Sequence, residues 1–226
     1  MLEYSRIHLM GIGTQYNWIF DSLKKSKADK VYLFCKENEK NPDAIKAEKE
    51  VVKFFKKKEI DSVKIIYKDK DIFGLLKEIR EIIEKEKDSF IHLNITSGER
   101  EVATSFTLAS MLFRGIPKDL RLYSMYAGDF YKLPSFQVKL PEKSLVGAMR
   151  FISEQGNECV KKKLLTYCFD NKILKTDKDS EENKYMLLNR RIIDKLLGWK
   201  FIEIDGKGKG ALVKLKEEGQ ILIKFL

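Results

Sequence analysis

Apolar runs with the period of a strand alternate with runs at helical spacing over the first 130 residues of this 226-residue chain. Between the strand-like runs, apolar residues recur three and four positions apart, as on one face of a helix. The strand-like runs are Arg6–Gly13, Val31–Cys35, Val63–Tyr67, Phe90–Ile95 and Leu120–Tyr126. This alternation predicts βαβ units, and hence an α/β fold of Rossmann-like type, with a mostly parallel sheet and helices on both faces.

Helix starts are marked by residues that cap backbone N–H groups. Asn41, followed by Pro42, and Asp71 are each placed to cap the helix after a strand. Glu99–Arg114 is a further predicted helix, with its apolar positions facing inward.

The pattern changes after about residue 130. Pro134 and Pro141 bracket a short piece, Ser135–Leu140, that is expected to be extended, and Ser144–Gln155 is expected to form a connecting helix. The predicted organisation is a Rossmann-like ligand-sensing and dimerisation domain over 1–141, a connecting helix over 142–156, and a second domain over 157–226.

The second domain has the order of elements of a winged helix-turn-helix. Helical spacing over Val160–Cys168 and Leu188–Leu197 precedes two short alternating strands, Lys200–Asp205 and Ala211–Lys216. A glycine-rich basic tip over 206–210 joins those strands, and a short final helix follows over Glu217–Phe225. Two helices followed by a basic hairpin are typical of DNA-binding winged helices.

The charge of the chain indicates an anionic partner. There are 44 Lys and Arg against 34 Asp and Glu, a net charge of +10. Residues 184–216 alone hold nine basic and three acidic residues, so the excess lies on the second predicted helix and the hairpin. A lysine-rich surface of a thermophile, or genome composition, explains the overall excess equally well.

Several classes of protein are excluded by what the sequence lacks. Its longest uncharged stretches, Ile7–Phe20 and Val102–Phe113, are shorter than the roughly 20 residues that cross a bilayer, and no secretory signal is visible. Three cysteines without C-x-x-C spacing and two histidines, which alternate with apolar residues, predict no disulfide framework, no metal site and no cofactor. We expect a cytoplasmic protein.

The first candidate site directly follows the first strand and consists of Gly11, Ile12, Gly13, Thr14 and Gln15. A dinucleotide-binding fingerprint needs a third glycine where this chain has Tyr16, so that motif fails. What remains is a glycine turn that allows close approach of a phosphate or a base, with a plain tight turn as the alternative.

The second candidate site follows the fourth strand and consists of Thr96, Ser97, Gly98, Glu99 and Arg100. Thr96 and Glu99 have capping-box spacing, and Ser97 is an alternative N-cap. A helix N-terminus with two hydroxyls and an arginine is suited to bind an anion at the carboxyl edge of the sheet, where such sheets bind ligands. The alternative is an ordinary capped helix. The chain has neither a P-loop nor a nucleophile elbow, so nothing demands an enzyme.

A third set of residues is placed to bind double-stranded DNA. Asparagine and arginine read base edges, and lysine neutralises phosphates. The set comprises Asn189, Arg190, Arg191 and Lys195 on the late helix, with Lys207 and Lys209 at the hairpin tip. A solvated helix face and a flexible basic loop are the alternative.

The order of these features resembles the CARF-domain (CRISPR-associated Rossmann fold) winged-helix regulators of CRISPR loci, which are mainly archaeal. The resemblance rests on domain order, on the turn Asn94–Arg100 and on the ending Ala211–Gly219. It implies a homodimer that binds a cyclic oligoadenylate, most commonly cyclic tetra-adenylate, across its two-fold axis. It also implies that the two loops named above contact the ligand. Turns of that family often carry a second glycine and a lysine where this chain has Glu99 and Arg100.

Three functions follow as hypotheses. The first is a CRISPR-associated, ligand-responsive transcriptional regulator in which the bound nucleotide shifts the relative orientation of two winged helices on DNA. The second is a ring nuclease, in which Ser97 and Arg100 position a ribose 2′-hydroxyl for in-line attack. The third is a protein-interaction module whose winged helix does not bind DNA.

Overall fold

The chain divides into two units, Met1–Lys139 and Leu140–Leu226. The computed structural model describes residues 4–126, 129–177 and 180–225. The predicted fold class is confirmed, because a mostly parallel α/β unit is followed by a small helical unit with a three-stranded antiparallel wing. The assignment of ligand sensing and dimerisation to the first unit stays a prediction.

The described residues of the first unit form six strands and four helices. The strands are β1 Arg6–Gly11, β2 Lys30–Lys36, β3 Asp61–Tyr67, β4 Phe90–Asn94, β5 Asp119–Tyr126 and β6 Asp129–Leu133. The helices are α1 Asn17–Lys25, α2 Pro42–Lys57, α3 Ile72–Lys85 and α4 Arg100–Leu112. Both predicted caps are confirmed: the Asn41 side chain accepts a hydrogen bond from the N–H of Asp43, and the Asp71 side chain accepts one from the N–H of Gly74.

The sheet has the strand order β3-β2-β1-β4-β5-β6. Strands β1 to β5 pair in parallel, and β6 runs antiparallel to β5. Strand β6 was not predicted, because its five residues are half-exposed and do not alternate. The chain order reverses direction between β1 and β4, and this switch point is where open α/β sheets bind ligands.

Helices cover both faces of the sheet. Helices α1 and α2 pack on the face that carries Met10 and Leu33, with Phe55 of α2 fully buried there. On the opposite face, Phe34 meets Phe106 of α4 edge-to-face at 5.2 Å between ring centroids. Strands β1, β2 and β4 therefore lie in the apolar interior, as their composition predicted, whereas the edge strand β3 is largely exposed.

The segment after β6 forms no sheet ladder. Residues 134–142, which include the predicted extended piece Ser135–Leu140, have no regular secondary structure. The N–H of Val138 donates to the carbonyl of Met111, and Arg114 donates to the carbonyl of Ser135. These bonds hold the segment against the end of α4.

The described residues of the second unit form a winged helix. Its elements are α5 Lys143–Glu154, β7 Glu158–Val160, α6 Lys161–Asp170, α7 Glu181–Leu188, a π-helical turn Asn189–Ile193, α8 Asp194–Gly198, β8 Ile202–Asp205, a 3₁₀ turn Gly208–Gly210, β9 Leu212–Leu215 and α9 Glu217–Phe225. The three strands pair antiparallel in the order β7-β9-β8. Helix α5, expected as a connector, packs here against α6, α9 and β9.

The late helix is longer than its periodicity indicated. It was predicted over Leu188–Leu197, but it begins at Glu181, where Ser180 accepts a hydrogen bond from the N–H of Asn183. The first turns of this helix, which begin at Glu181, were not predicted because their acidic and polar residues show no apolar periodicity. Lys178 and Asp179, just before the helix, lie outside the described residues. Helix α7, the π-helical turn and α8 form one continuous element, called the late helix below.

Among the described residues, no helix combines the length and apolar character needed to span a bilayer. The three cysteines are buried free thiols. Burial raises the pKa of Cys159 to about 11, so this thiol stays protonated and unreactive at neutral pH.

The carboxyl ends of β1 and β4 meet through two glycines. A Cβ added to Gly98 would lie 2.7 Å from the Cα of Gly11, and one added to Gly11 would lie 2.9 Å from the Cα of Gly98. Gly98 also has a φ of 103°, a conformation that side chains disfavour. The loops after these strands are therefore in direct backbone contact.

Two buried histidines lie side by side in the centre of the sheet. His8 of β1 and His92 of β4 are register partners, with ring centroids 4.6 Å apart, and Ser26 Oγ lies 3.1 Å from His92 Nδ1. Burial lowers the pKa of His8 to about 3, with a further contribution from His92. Burial also lowers the pKa of His92 to about 4, and Arg121 adds to this effect.

The glycine contact generates a stability prediction. Gly98→Ala should destabilise the first unit by about 2–4 kcal/mol, because the added methyl group meets backbone and the residue keeps a strained φ. Chemical denaturation measures this loss. Gly115→Ala is the control in the same unit, since its new methyl group meets only the flexible end of Gln137; equal losses for the two variants would contradict the interpretation.

The histidine pair predicts acid sensitivity. Each unfolded histidine binds a proton near pH 6.5, whereas the folded pair does so only near pH 4 and 3. Stability should therefore be constant above about pH 7 and fall as the pH drops toward 4, by up to about 1.4 kcal/mol per pH unit for each histidine. Urea denaturation at pH 8, 6 and 5 measures this slope. His8→Gln should halve the loss of unfolding free energy per pH unit between pH 6 and 5. An unchanged slope in this variant would contradict the prediction.

Candidate functional site

The two predicted loops share one edge of the sheet, at the switch point between β1 and β4. Gly11 and Gly13 both approach the backbone of Gly98 closely. Beyond Gly13, Thr14 and Gln15 are exposed in the loop that precedes α1. The structure therefore brings together the two segments that the sequence singled out.

A hydrogen-bond network holds the loop after β4. The N–H of Thr96 donates to Asn94 Oδ1 at 2.9 Å, and Asn94 Nδ2 donates to Ser22 Oγ on α1 at 2.9 Å. Thr96 Oγ1 accepts a hydrogen bond from the N–H of Met125 on β5 at 2.8 Å. The start of this loop is thereby fixed to its neighbours on both sides.

The capping box predicted for Thr96 and Glu99 is wrong. Helix α4 begins at Arg100, its N-cap is Glu99, and no side chain makes a cap hydrogen bond, so the alternative N-cap Ser97 does not cap it either. The hydroxyl of Thr96 is taken by β5, a partner far along the chain that local spacing does not reveal. The N-terminal end of α4 therefore keeps its partial positive charge without a side-chain cap.

Ser97 and Arg100 are the polar groups next to this helix end. Ser97 is 7% exposed, and its hydroxyl has no hydrogen-bond partner among the described residues. A buried hydroxyl without a partner is uncommon and costly, and a bound ligand is one explanation for it. Arg100 lies exposed on the first turn of α4. This arrangement is suited to hold an anion.

Lys36 and Asp69, which were not among the predicted site residues, lie close to Glu99. Lys36 Nζ, at the end of β2, lies 3.4 Å from Glu99 Oε2 and 3.0 Å from Asp69 Oδ1. The hydrogen bond with Asp69 raises the pKa of Lys36, and the pair to Glu99 adds to this. The position of Lys36 directly after an apolar strand was the available signal. Lys36 therefore supplies positive charge beside Glu99, the acidic residue where turns of the resembling family often carry a glycine or a lysine.

Asp69, Glu99 and Glu101 form an acidic group beside Lys36. Their carboxylate oxygens lie within 4.8 Å of one another, close enough to share a cation. Lys36 already neutralises part of this charge, because it contacts Asp69 and Glu99.

The residues predicted to bind DNA lie on two sides of the late helix. Asn189 and Arg190 line a groove together with Lys209 of the wing. Arg191 and Lys195 line a different groove with Glu142, whose carboxylate lies 3.0 Å from Lys195 Nζ. The two sides arise because positions 190 and 191 are about 100° apart around a helix axis.

The tip of the wing carries the remaining two lysines. Lys207 is exposed, and Lys209 Nζ lies 2.7 Å from Glu181 Oε2 at the start of the late helix. Both members of that pair are more than half exposed, so the pair contributes little stability. The DNA-binding role of the six residues stays a prediction.

Comparisons with known proteins identify both units. A family model described as HFX_2341_N:-like, N-terminal, matches residues 6–128, and one described as DUF6293 C-terminal winged helix domain matches residues 144–226. No curated protein matches the chain.

Solved structures show distant similarity. Csm6 from Enterococcus italicus, bound to cyclic hexa-2′-fluoro-hexa-dAMP, is 13% identical with a TM-score of 0.45, over 88% of this chain and 57% of that one. Protein VC1899 from Vibrio cholerae is 14% identical with a TM-score of 0.41, over 97% and 64%. Can2 from Sulfobacillus thermosulfidooxidans, in complex with cyclic tetra-adenylate, is 12% identical with a TM-score of 0.39, over 98% and 62%.

The chain thus spans less than two thirds of each of these three structures. The family models cover its two units separately, and the first of them matches more than half of the chain. The chain belongs to the HFX_2341_N-like family, whose N-terminal domain it carries ahead of a DUF6293-type winged helix domain.

Proposed function

We propose that this protein is a homodimeric, CRISPR-associated transcriptional regulator of CARF type, which binds a cyclic oligoadenylate through its first unit and double-stranded DNA through its second. The observation that carries the proposal is the edge between β1 and β4. There, two glycine loops, the unpartnered hydroxyl of Ser97 and the exposed Arg100 surround an uncapped helix N-terminus. Cyclic tetra-adenylate is the proposed ligand, on the resemblance of the turn Asn94–Arg100.

The chemistry of this edge supports a phosphate ligand. The N-terminal end of α4 carries a partial positive charge. Arg100 can donate two parallel hydrogen bonds to a phosphate, and Gly98, which has no side chain, lets a ligand approach the backbone. Glu99 opposes a phosphate, and Lys36, which pairs with both Glu99 and Asp69, offsets part of that negative charge. The two loops thus present both backbone and cationic partners on one surface.

The winged helix of the second unit supports DNA as the second partner. Arg190 and the wing lysines Lys207 and Lys209 supply cations on the late helix and the hairpin, which are the elements that such domains place against DNA. In the proposed scheme the nucleotide bridges the first units of two protomers and changes the spacing of their winged helices. Half-sites on DNA would mirror the two-fold symmetry of the dimer.

The ligand is tested by thermal unfolding of the full chain with cyclic tetra-adenylate, cyclic hexa-adenylate and a linear oligoadenylate. At 100 times its dissociation constant, a ligand bound only by the native state adds about 2.7 kcal/mol of stability. We expect cyclic tetra-adenylate to raise the melting temperature and the linear control to do so much less. Absence of a shift with either ring would contradict the nucleotide-sensing half of the proposal.

Two variants locate the ligand. Ser97→Ala should leave the free protein as stable as before or more so, since it removes an unpartnered buried hydroxyl, yet it should reduce the ligand-induced shift. Arg100→Ala should abolish most of the shift. Arg150→Ala is the control, because Arg150 is an exposed arginine of the second unit. A shift that survives both Ser97→Ala and Arg100→Ala would place the ligand elsewhere.

DNA binding is tested by fluorescence anisotropy with a labelled duplex between about 50 and 200 mM salt, a range over which phosphate contacts lose affinity steeply. Arg190→Ala should weaken binding about tenfold, and Arg150→Ala should leave it unchanged. Binding that does not respond to salt would contradict the DNA assignment and favour a protein partner.

A further inference from the structure

The second unit contains a groove whose lining includes three of the residues proposed to bind DNA, namely Asn189, Arg190 and Lys209. It has a volume of about 610 Å³ and lies between the late helix and the 3₁₀ turn of the wing. Pockets for small molecules commonly have this size. The side chains that line it include those of Lys161, Tyr185, Met186, Asn189, Arg190 and Lys209.

Two buried polar atoms on this lining have no partner among the described residues. They are the hydroxyl of Tyr185, a residue 8% exposed, and Oδ1 of Asn189. These two residues are four positions apart, so both lie on the side of the late helix that faces the groove. Buried polar groups in native proteins are nearly always paired, and two orphans on one lining indicate a missing partner.

The backbone of the late helix is irregular at the same place. The N–H of Asp194 donates to the carbonyl of Asn189, a bond across five residues in place of the usual four. Such π-helical turns are rare, and they occur frequently at functional sites. The irregularity begins at Asn189, the residue whose side-chain oxygen is unpartnered.

The groove also has a modest positive charge. Lys161, Arg190 and Lys209 line it together with Glu182 and Asp194, which leaves a net charge of +1. That balance suits a ligand with one phosphate better than a polyanion.

Lys209 is held by contacts that a ligand could replace. Its ammonium group pairs with the exposed Glu181 and lies 5.4 Å from the centre of the Tyr185 ring. An exposed pair of this kind is weak. A phosphate could therefore take the place of Glu181, and a planar ring could take the place of the ammonium group over Tyr185.

We propose that this groove binds adenine carrying a single phosphate, with 5′-AMP as the simplest such ligand. The carboxamide of Asn189 offers an acceptor and a donor side by side, which match the amino group and adjacent ring nitrogen of adenine. The ring of Tyr185 provides a stacking surface for the base, and Lys209 and Arg190 pair with the phosphate. This site is independent of the cyclic-nucleotide edge of the first unit.

The test uses the full chain with ¹³C-methyl-labelled methionine. Met186 lines the groove and is 63% exposed, so its methyl resonance reports on occupancy; Met186→Leu assigns that resonance. We expect 5′-AMP to shift it in a saturable manner, and 5′-GMP and inorganic phosphate to bind at least tenfold more weakly. On the edge that carries N7, adenine presents a donor and an acceptor whereas guanine presents two acceptors, so a guanine held by that edge loses the hydrogen bond to Asn189 Oδ1.

Two variants test the assigned contacts. Asn189→Asp keeps the shape of the side chain but removes its donor, and it should weaken AMP binding at least tenfold. Tyr185→Phe keeps the ring and removes the hydroxyl, and it should weaken binding a few-fold. Arg150→Ala, on an exposed surface of the same unit, should bind AMP like the natural chain.

Three results would overturn the proposal. The first is a Met186 resonance that no mononucleotide moves, even if a DNA duplex moves it, because the groove would then be a DNA surface alone. The second is equal AMP affinity in the natural chain and Asn189→Asp. The third is AMP binding that Arg100→Ala abolishes and Asn189→Asp does not, which would assign the adenylate to the first unit. None of these results bears on whether cyclic tetra-adenylate stabilises the protein.

Discussion

The first unit depends on the contact between the backbones of Gly11 and Gly98. Only hydrogen atoms separate the two Cα positions, and a methyl group on either residue would overlap the other chain segment. The contact joins the loops that follow β1 and β4 at the switch point of the sheet, where ligands of such folds bind. It therefore helps to determine where Ser97 and Arg100 lie, since Ser97 directly precedes Gly98 and Arg100 follows it by two residues.

Lys36 offsets part of the acidic charge at this edge of the sheet. Glu99 lies at the helix N-terminus that we propose as an anion site. Its negative charge interacts favourably with the helix dipole but repels a phosphate. Lys36 comes from the end of β2 and contacts both Glu99 and Asp69. A ligand phosphate at this edge would therefore meet a lysine that is already present, at the cost of weakening its pairs with the two carboxylates.

In the second unit, the late helix separates its basic residues between two grooves. Asn189 and Arg190 share one groove with the wing, whereas Arg191 and Lys195 face Glu142. The side shared with the wing also holds the unpartnered polar atoms of Tyr185 and Asn189, and the π-helical turn begins there, at Asn189. If both proposals hold, DNA and a free adenine nucleotide would compete for this side of the helix, and the winged helix would carry its own response to adenylate.

The parallel strands, most helices and the caps Asn41 and Asp71 could be predicted from the amino-acid sequence, because periodicity and capping act between residues close along the chain. The sequence also placed both loops of the candidate site at one sheet edge, since parallel strands share their carboxyl ends. The Gly11–Gly98 contact and the pairing of Lys36 with Glu99 are visible only in the folded structure. It alone showed that the Thr96 hydroxyl serves β5, and that β6 completes the sheet. These contacts join residues far apart in sequence, and the order of strands in the sheet brings them together.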